Sequence, residues 1–138
     1  MYNTLLQQGF KPQYEPITFT LWDGFKPITP YYDKETDKQQ IKRLSEGINK
    51  YPSKVLIQKT GKIVGIRYTP DFYFKYNNLN VYIEVKCIEN DVFYIKKKMF
   101  LKYLDNLYVE KGEKSIYFEV YTKKQLLQAI EIIKNYEQ

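Results

Sequence analysis

The strongest alternation of apolar and polar positions falls in residues 70–87. Phe72, Phe74 and Tyr76 share one face, and Asp71, Tyr73 and Lys75 the other. Beyond an Asn77-Asn78-Leu79-Asn80 link, Val81, Ile83, Val85 and Cys87 share one face, and Tyr82, Glu84 and Lys86 the other. Period two on both sides of a polar link predicts a β-hairpin with an apolar and a polar side. A two-residue turn pairing 77 with 80 and a four-residue loop pairing 76 with 81 give the same register. Asp71 then stands opposite Lys86 and diagonal to Glu84, roughly 7–8 Å away. Cys87, on the Ile83 and Val85 face, is expected as a small buried hydrophobe.

The remaining pattern supplies the elements around this hairpin. Residues 2–8 make about two helical turns, stopped by Gly9. Residues 17–22 alternate as a first strand, ended by Asp23-Gly24 and the prolines at 27 and 30. In the polar stretch 33–50, Ile41, Leu44 and Ile48 recur at helical spacing, predicting a thin surface helix starting near Asp33 or Thr36. Residues 55–58 and 63–68 read as a second hairpin around Lys59-Thr60-Gly61-Lys62. A helix capped by Asn90 or Asp91 runs to about residue 107. Its stripe of Val92, Met99, Phe100, Tyr103, Leu104 and Leu107 is expected on the apolar side of the 70–87 hairpin. Residues 115–121 form a further strand, and Thr122-Lys123-Lys124-Gln125 is a capping box for a last helix. Its core face is Leu126, Leu127, Ile130, Ile133 and Tyr136. The order predicts an α/β fold, a mixed central β-sheet flanked by helices, in one domain spanning 1–138. Residues 31–52 stand out as a helical insertion after the first strand.

Composition narrows the chemistry. With 138 residues and 43% apolar content, one globular core is expected. No apolar run is long enough for a membrane span and no cleavable leader opens the chain, so no membrane partner is expected. A single cysteine fits a reducing, cytoplasmic setting. The absence of histidine excludes His-based triads and His metal ligands. A net charge of +6 permits nucleic-acid binding. Only Arg43 and Arg67 are arginine, which favours recognition of backbone and shape over bidentate base reading. The abundance of lysine and tyrosine with so little arginine and alanine also fits AT-rich coding, so the charge is permissive rather than diagnostic.

Asp71, Glu84 and Lys86 thus converge on the hairpin's polar face. Two carboxylates with waters suit a hard divalent cation at about 2.0–2.1 Å, with the Val85 backbone carbonyl as a further donor. Such an ion polarises a phosphodiester and activates water, and the lysine orients that water or stabilises developing charge.

Pro70-Asp71, a spacer, and Glu84-Val85-Lys86 at the end of an apolar strand resemble the PD-(D/E)XK nuclease motif. Tyr14-Glu15-Pro16 followed by a strand, then Tyr68-Thr69-Pro70-Asp71-Phe72, is similar to small phage- and mobile-element-encoded members of that superfamily. The resemblance covers residues 10 to 107. It implies a restriction-endonuclease-like core and a Mg2+-dependent DNA endonuclease, with Mn2+ substituting. Asp71, Glu84 and Lys86 would be the catalytic set, and Asp71, Glu84, the Val85 carbonyl and a further acid the metal ligands. Such nucleases usually carry that acid on a longer opening helix. Here no acid precedes Glu15, which either substitutes for it or is an exposed structural residue. Lys96, Lys97 and Lys98 on the helix after the motif, with Lys75 and Tyr73 on the polar face, are candidate DNA contacts. Lys96 lies near the centre of the apolar stripe, so it either reaches solvent along its methylenes or enters the cleft. Tyr73 and Tyr82 either stack on bases or line a half-buried sheet surface.

The expected activity is structure-selective cleavage of branched DNA such as a Holliday junction, by a homodimer. The alternatives are a nicking subunit of a mobile-element complex and a catalytically idle nuclease fold that binds DNA or protein.

Overall fold

The computed structural model describes residues 1–86 and 90–136; the Cys87 expectation lies outside them. The chain is mixed α/β, with a mixed central sheet flanked by helices. Contacts divide it into two compact units, Met1–Asp23 with Ile66–Gln138, and Gly24–Gly65. The segment 31–52 lies inside the second unit. Among the described residues no helix is long and apolar enough to cross a membrane.

The first unit begins with α1 (Tyr2–Gln7), β1 (Gln13–Tyr14) and β2 (Phe19–Trp22). It resumes with β5 (Ile66–Tyr68), β6 (Phe72–Tyr76), β7 (Leu79–Val85), α3 (Asp91–Lys111), β8 (Lys114–Val120) and α4 (Lys123–Lys134). Four strands make the central sheet in the order β1-β6-β7-β8. The first three pair antiparallel, while β8 is parallel to β7. That last pairing requires a crossover, which α3 supplies. Asn90 caps α3 by accepting from Phe93 N–H at 2.8 Å, and Gly112 ends it at φ 69°. Thr122 caps α4 through Gln125 N–H, but the Gln125 side chain accepts from Tyr121 N–H at 2.6 Å, one residue before the cap.

The hairpin forms in a register shifted by two residues from the expected one. Phe72 pairs with Ile83 and Tyr76 with Leu79, so Asn77-Asn78 alone make the turn. Asn77 takes φ 54°, a left-handed conformation that asparagine tolerates better than most residues. The physical reason is Leu79. The expected link would leave it in a loop, whereas here it is fully buried in the strand, a gain of about 1.5–3 kcal/mol.

Both faces of the sheet are covered. On the apolar side Phe72, Phe74, Val81 and Ile83 pack with Leu5 of α1, Phe10, and Leu126, Ala129, Ile130 and Ile133 of α4. On the other side Tyr68 and Tyr82 pack with Phe93, Phe100 and Leu104 of α3, with Tyr73, Tyr103 and Tyr117 beside them. This corrects the expectation that α3 covers the apolar face, which α1 and α4 already fill. Five tyrosines and the rings of Phe19 and Phe100 make the nominally polar face into a second core. Within α3, Phe93 replaces Val92 in the buried stripe, and Val92 is exposed. In α4 the small Ala129 is buried while Leu127 is exposed, and Tyr136, expected on its core face, lies past the helix end and is exposed.

The expected second hairpin does not form. Ile66–Tyr68 pairs antiparallel with Phe19–Trp22 in the first unit. In the second unit β3 (Tyr32–Lys34) pairs with β4 (Leu56–Gln58), and Phe25 bridges Ile63. Gly24 lets the chain run this close: a Cβ there would sit 2.5 Å from the Ile63 carbonyl oxygen. Extended pairing with a distant partner therefore outcompetes a local turn at Lys59-Thr60-Gly61-Lys62.

Within the second unit, α2 (Asp37–Ser45) starts at Thr36 with a full capping box involving Gln39. Its stripe of Ile41, Leu44 and Ile48 is exposed. The side chain turned inward is Arg43, which is paired with buried Glu35 at 2.7 Å. The same guanidinium donates to the backbone carbonyls of Asn49, Tyr51 and Ser53.

Candidate active site

Asp71 and Glu84 meet because of the hairpin register. Extending the Phe72–Ile83 pair by one places Asp71 opposite Glu84, not Lys86. A slip of two residues keeps every side chain on its face but changes its neighbours. The Asp71 backbone N–H donates to Glu84 Oε2 at 3.2 Å, and Asp71 Oδ2 accepts from Val85 N–H at 2.8 Å. Lys86 Nζ lies 3.2 Å from Glu84 Oε1 and 3.9 Å from the centroid of the Phe93 ring. The amine is therefore a companion of Glu84 along its own strand.

Glu84 is only 5% exposed. Tyr68 Oη donates to its Oε2 at 2.8 Å, and Tyr117 Oη lies 3.0 Å from Tyr68 Oη. Burial pushes both phenols well up, so they remain protonated donors. Burial also raises the Glu84 carboxyl, and the neighbouring Asp71 charge adds to it; the Tyr68 hydrogen bond and Lys86 pull the other way. Asp71 is raised for the same first reason, with Val85 N–H and Lys86 opposing and Glu15 reinforcing.

Glu15 is next in line. Its N–H donates to the Asp71 carbonyl at 2.8 Å, extending the β1–β6 ladder, and its φ is 46°. On the far side, parallel pairing places Glu119 beside Glu84. Glu15, Asp71, Glu84 and Glu119 thus form one row across four strands. Like charges in adjacent strands repel, and lysines answer them. Lys86 pairs with Glu84, and Lys97 pairs with Glu119 at 3.0 Å. Among the described residues, no three Asp, Glu, His or Cys side chains are grouped closely enough to share a metal ion. The donors at the centre are therefore the two carboxylates, of Asp71 and Glu84. They fit a magnesium- or manganese-like ion by chemistry: both are hard oxygens, Glu84 is buried and Asp71 partly so, and one lysine is the counter-charge.

Two hollows reach this place. One of about 490 Å³ is lined by Arg67, Thr69, Glu84, Lys86, Asn90 and Lys96, among others. The other, about 350 Å³, is lined by Met1, Tyr14, Asp71, Phe72 and Val85. Lys96, placed by periodicity near the centre of the α3 stripe, lines the first. Lys97 is engaged by Glu119, and Lys98 is exposed. Lys75 pairs across to Asn80, toward the turn and away from the carboxylates. Tyr73 packs on Tyr82 at 5.1 Å between centroids and donates to Asn80 Oδ1 at 2.8 Å, so it belongs to the second core. Sequence reasoning missed Arg67, Tyr68, Tyr117 and Glu119. The first two are placed by the β2–β5 pairing and the last two by the parallel β7–β8 pairing, and no local pattern announces either.

No family model matches the chain, and neither the curated proteins nor the solved structures contain a match to it.

Proposed function

We propose that the protein is a metal-dependent DNA endonuclease of the PD-(D/E)XK kind, built on a restriction-endonuclease-like core. The observation that carries this reading is the contact of Asp71 with Glu84 at the end of one hairpin, where Asp71 N–H donates to Glu84 Oε2, with Lys86 on Glu84. Asp71, Glu84 and the Val85 carbonyl would hold Mg2+ or Mn2+. When bound, that ion supplies Lewis-acid polarisation of the phosphodiester and a water of lowered pKa. Tyr68 and the Asp71 N–H fix Oε2 of Glu84, which orients the carboxylate. Lys86, held against the Phe93 ring, is a donor for an attacking water or for charge that develops on a phosphate oxygen. The substrate we assign is branched DNA, cut by a homodimer in a cytoplasmic setting, because two arginines, one of them engaged by Glu35, leave little for bidentate base reading and favour recognition of shape.

The test incubates purified protein with a labelled four-way junction and its matched linear duplex, in magnesium and in chelator. Asp71→Asn and Lys86→Ala run alongside. Metal-dependent cutting of the junction alone, abolished by both substitutions, is the expected result. Cutting of both substrates keeps the chemistry and overturns the junction preference. Binding without cutting under either metal makes the protein an idle nuclease fold.

A further inference from the structure

Of the chain's two arginines, Arg43 is wholly engaged by Glu35 and three backbone carbonyls. The Arg67 side chain has no ion-pair or hydrogen-bond partner among the described residues, and neither has that of Lys96. Both line the same hollow of about 490 Å³, at whose wall the Glu84–Lys86 pair sits. Among the described residues three cations there face one carboxylate, and that carboxylate is already matched by Lys86 at 3.2 Å. Asn90 also lines the hollow. Its Oδ1 is committed to the α3 cap, which leaves its amide N–H groups as donors.

We infer that Arg67 and Lys96 form a phosphate seat, in which the guanidinium fork and the ammonium hold a backbone phosphate of a nucleic-acid strand beside the Glu84–Lys86 pair. A planar guanidinium matches two phosphate oxygens, whereas an unpaired ammonium contributes a point charge. Neither Arg67 nor Lys96 is a metal ligand, so the seat binds without a divalent ion. It rests on the reading of the protein as one that acts on a phosphodiester, and it adds the residues that register the strand there.

The experiment measures binding of a labelled 20-mer duplex by fluorescence anisotropy in chelator, across a salt series. Wild type is compared with Arg67→Ala, Arg67→Lys, Lys96→Ala and Lys124→Ala, each checked for an unchanged circular dichroism spectrum. Arg67→Ala and Lys96→Ala should each weaken binding about tenfold. Each should also reduce the slope of log K against log salt by about 1. Arg67→Lys should fall between, since it keeps the charge and loses the fork. Lys124→Ala, on the helix covering the other sheet face, should match wild type. Unchanged affinity and slope in both alanine variants overturn the seat, as does a wild type that binds no duplex. Inorganic phosphate that saturates the protein without displacing the duplex assigns the seat to free phosphate and overturns the nucleic-acid assignment. Loss of binding as expected, with no metal-dependent cutting by wild type, keeps the seat and sinks the nuclease reading. Cutting with unchanged binding in the variants does the reverse.

Discussion

Glu84 sits among three donors, the Tyr68 hydroxyl, the Asp71 N–H and the Lys86 ammonium. Removing one donor from a buried acceptor costs about 1–3 kcal/mol. Tyr68→Phe should therefore lower stability by about that amount in urea denaturation at neutral pH, with the fold retained. Because the lost bond favours the ionised carboxylate, the loss should shrink as the pH falls and Glu84 protonates. Replacing Asp71 acts in the opposite sense to replacing Tyr68. Burial raises the Asp71 and Glu84 carboxyls above their unfolded values, so the folded chain binds protons more tightly. Their unfavourable contribution is full above the raised values and is relieved as the pH drops toward the unfolded values, about 3.9 and 4.3. Asp71→Asn removes one charge from the carboxylate row while its amide oxygen can still accept from Val85 N–H. Without metal at pH 7 the variant should be more stable, by about 0.2–1 kcal/mol, the scale of an adjacent like-charge pair. Magnesium should raise the melting temperature of wild type and leave this variant unmoved. A variant that melts lower than wild type, or one that responds to magnesium, would contradict the assignment of Asp71.

At the scale of elements, the hairpin register is the feature most exposed to test. Were Leu79 part of a four-residue link, its truncation would be nearly neutral. As a fully buried strand residue opposite Tyr76, Leu79→Ala should cost about 2–5 kcal/mol in chemical denaturation. This is also where the sequence was legible and where it stopped. Period two at residues 72–76 and 81–85 identified both strands and their faces, and parity survives a slip of two. The neighbours did not survive it, because register depends on whether Leu79 is worth burying, which alternation alone does not say. Caps were readable down to Asp33 or Thr36, Asn90 or Asp91, and Thr122, since such side chains bond within the next turn, and the fold uses Thr36, Asn90 and Thr122. The partner of Ile66–Tyr68 was not, because it lies more than forty residues earlier and depends on Phe19 and Leu21 joining the α3 core. Likewise the face chosen by α3 was hidden: tyrosines read as polar, yet Tyr82 is buried, and Tyr117 packs on the same cluster with its hydroxyl 3.0 Å from that of Tyr68.

Across the whole chain the two units rest on different physics. The first carries two apolar clusters, one on each side of its sheet. In Gly24–Gly65 no apolar side chain is buried among the described residues; the buried side chain there is Glu35. Its guanidinium partner also binds carbonyls at Asn49, Tyr51 and Ser53, so one side chain fastens the end of α2 to the segment leading into β4. The Arg43 head lowers the Glu35 carboxyl, chiefly through its hydrogen bonds, and keeps it ionised at neutral pH. A buried ion pair is sensitive to loss of either partner, because the remaining charge is stranded. Lysine cannot replace this arginine: it has the charge but not the fork that reaches a carboxylate and several carbonyls together. Arg43→Lys should therefore raise amide hydrogen exchange throughout residues 24–65 while amides of β6, β7 and α4 keep their protection. Limited proteolysis should cut the variant first between Tyr31 and Lys59, before any cut in the first unit. If exchange in β6 and β7 rose to the same extent, the two units would be opening together, and the polar clasp at Arg43 would be holding the entire chain.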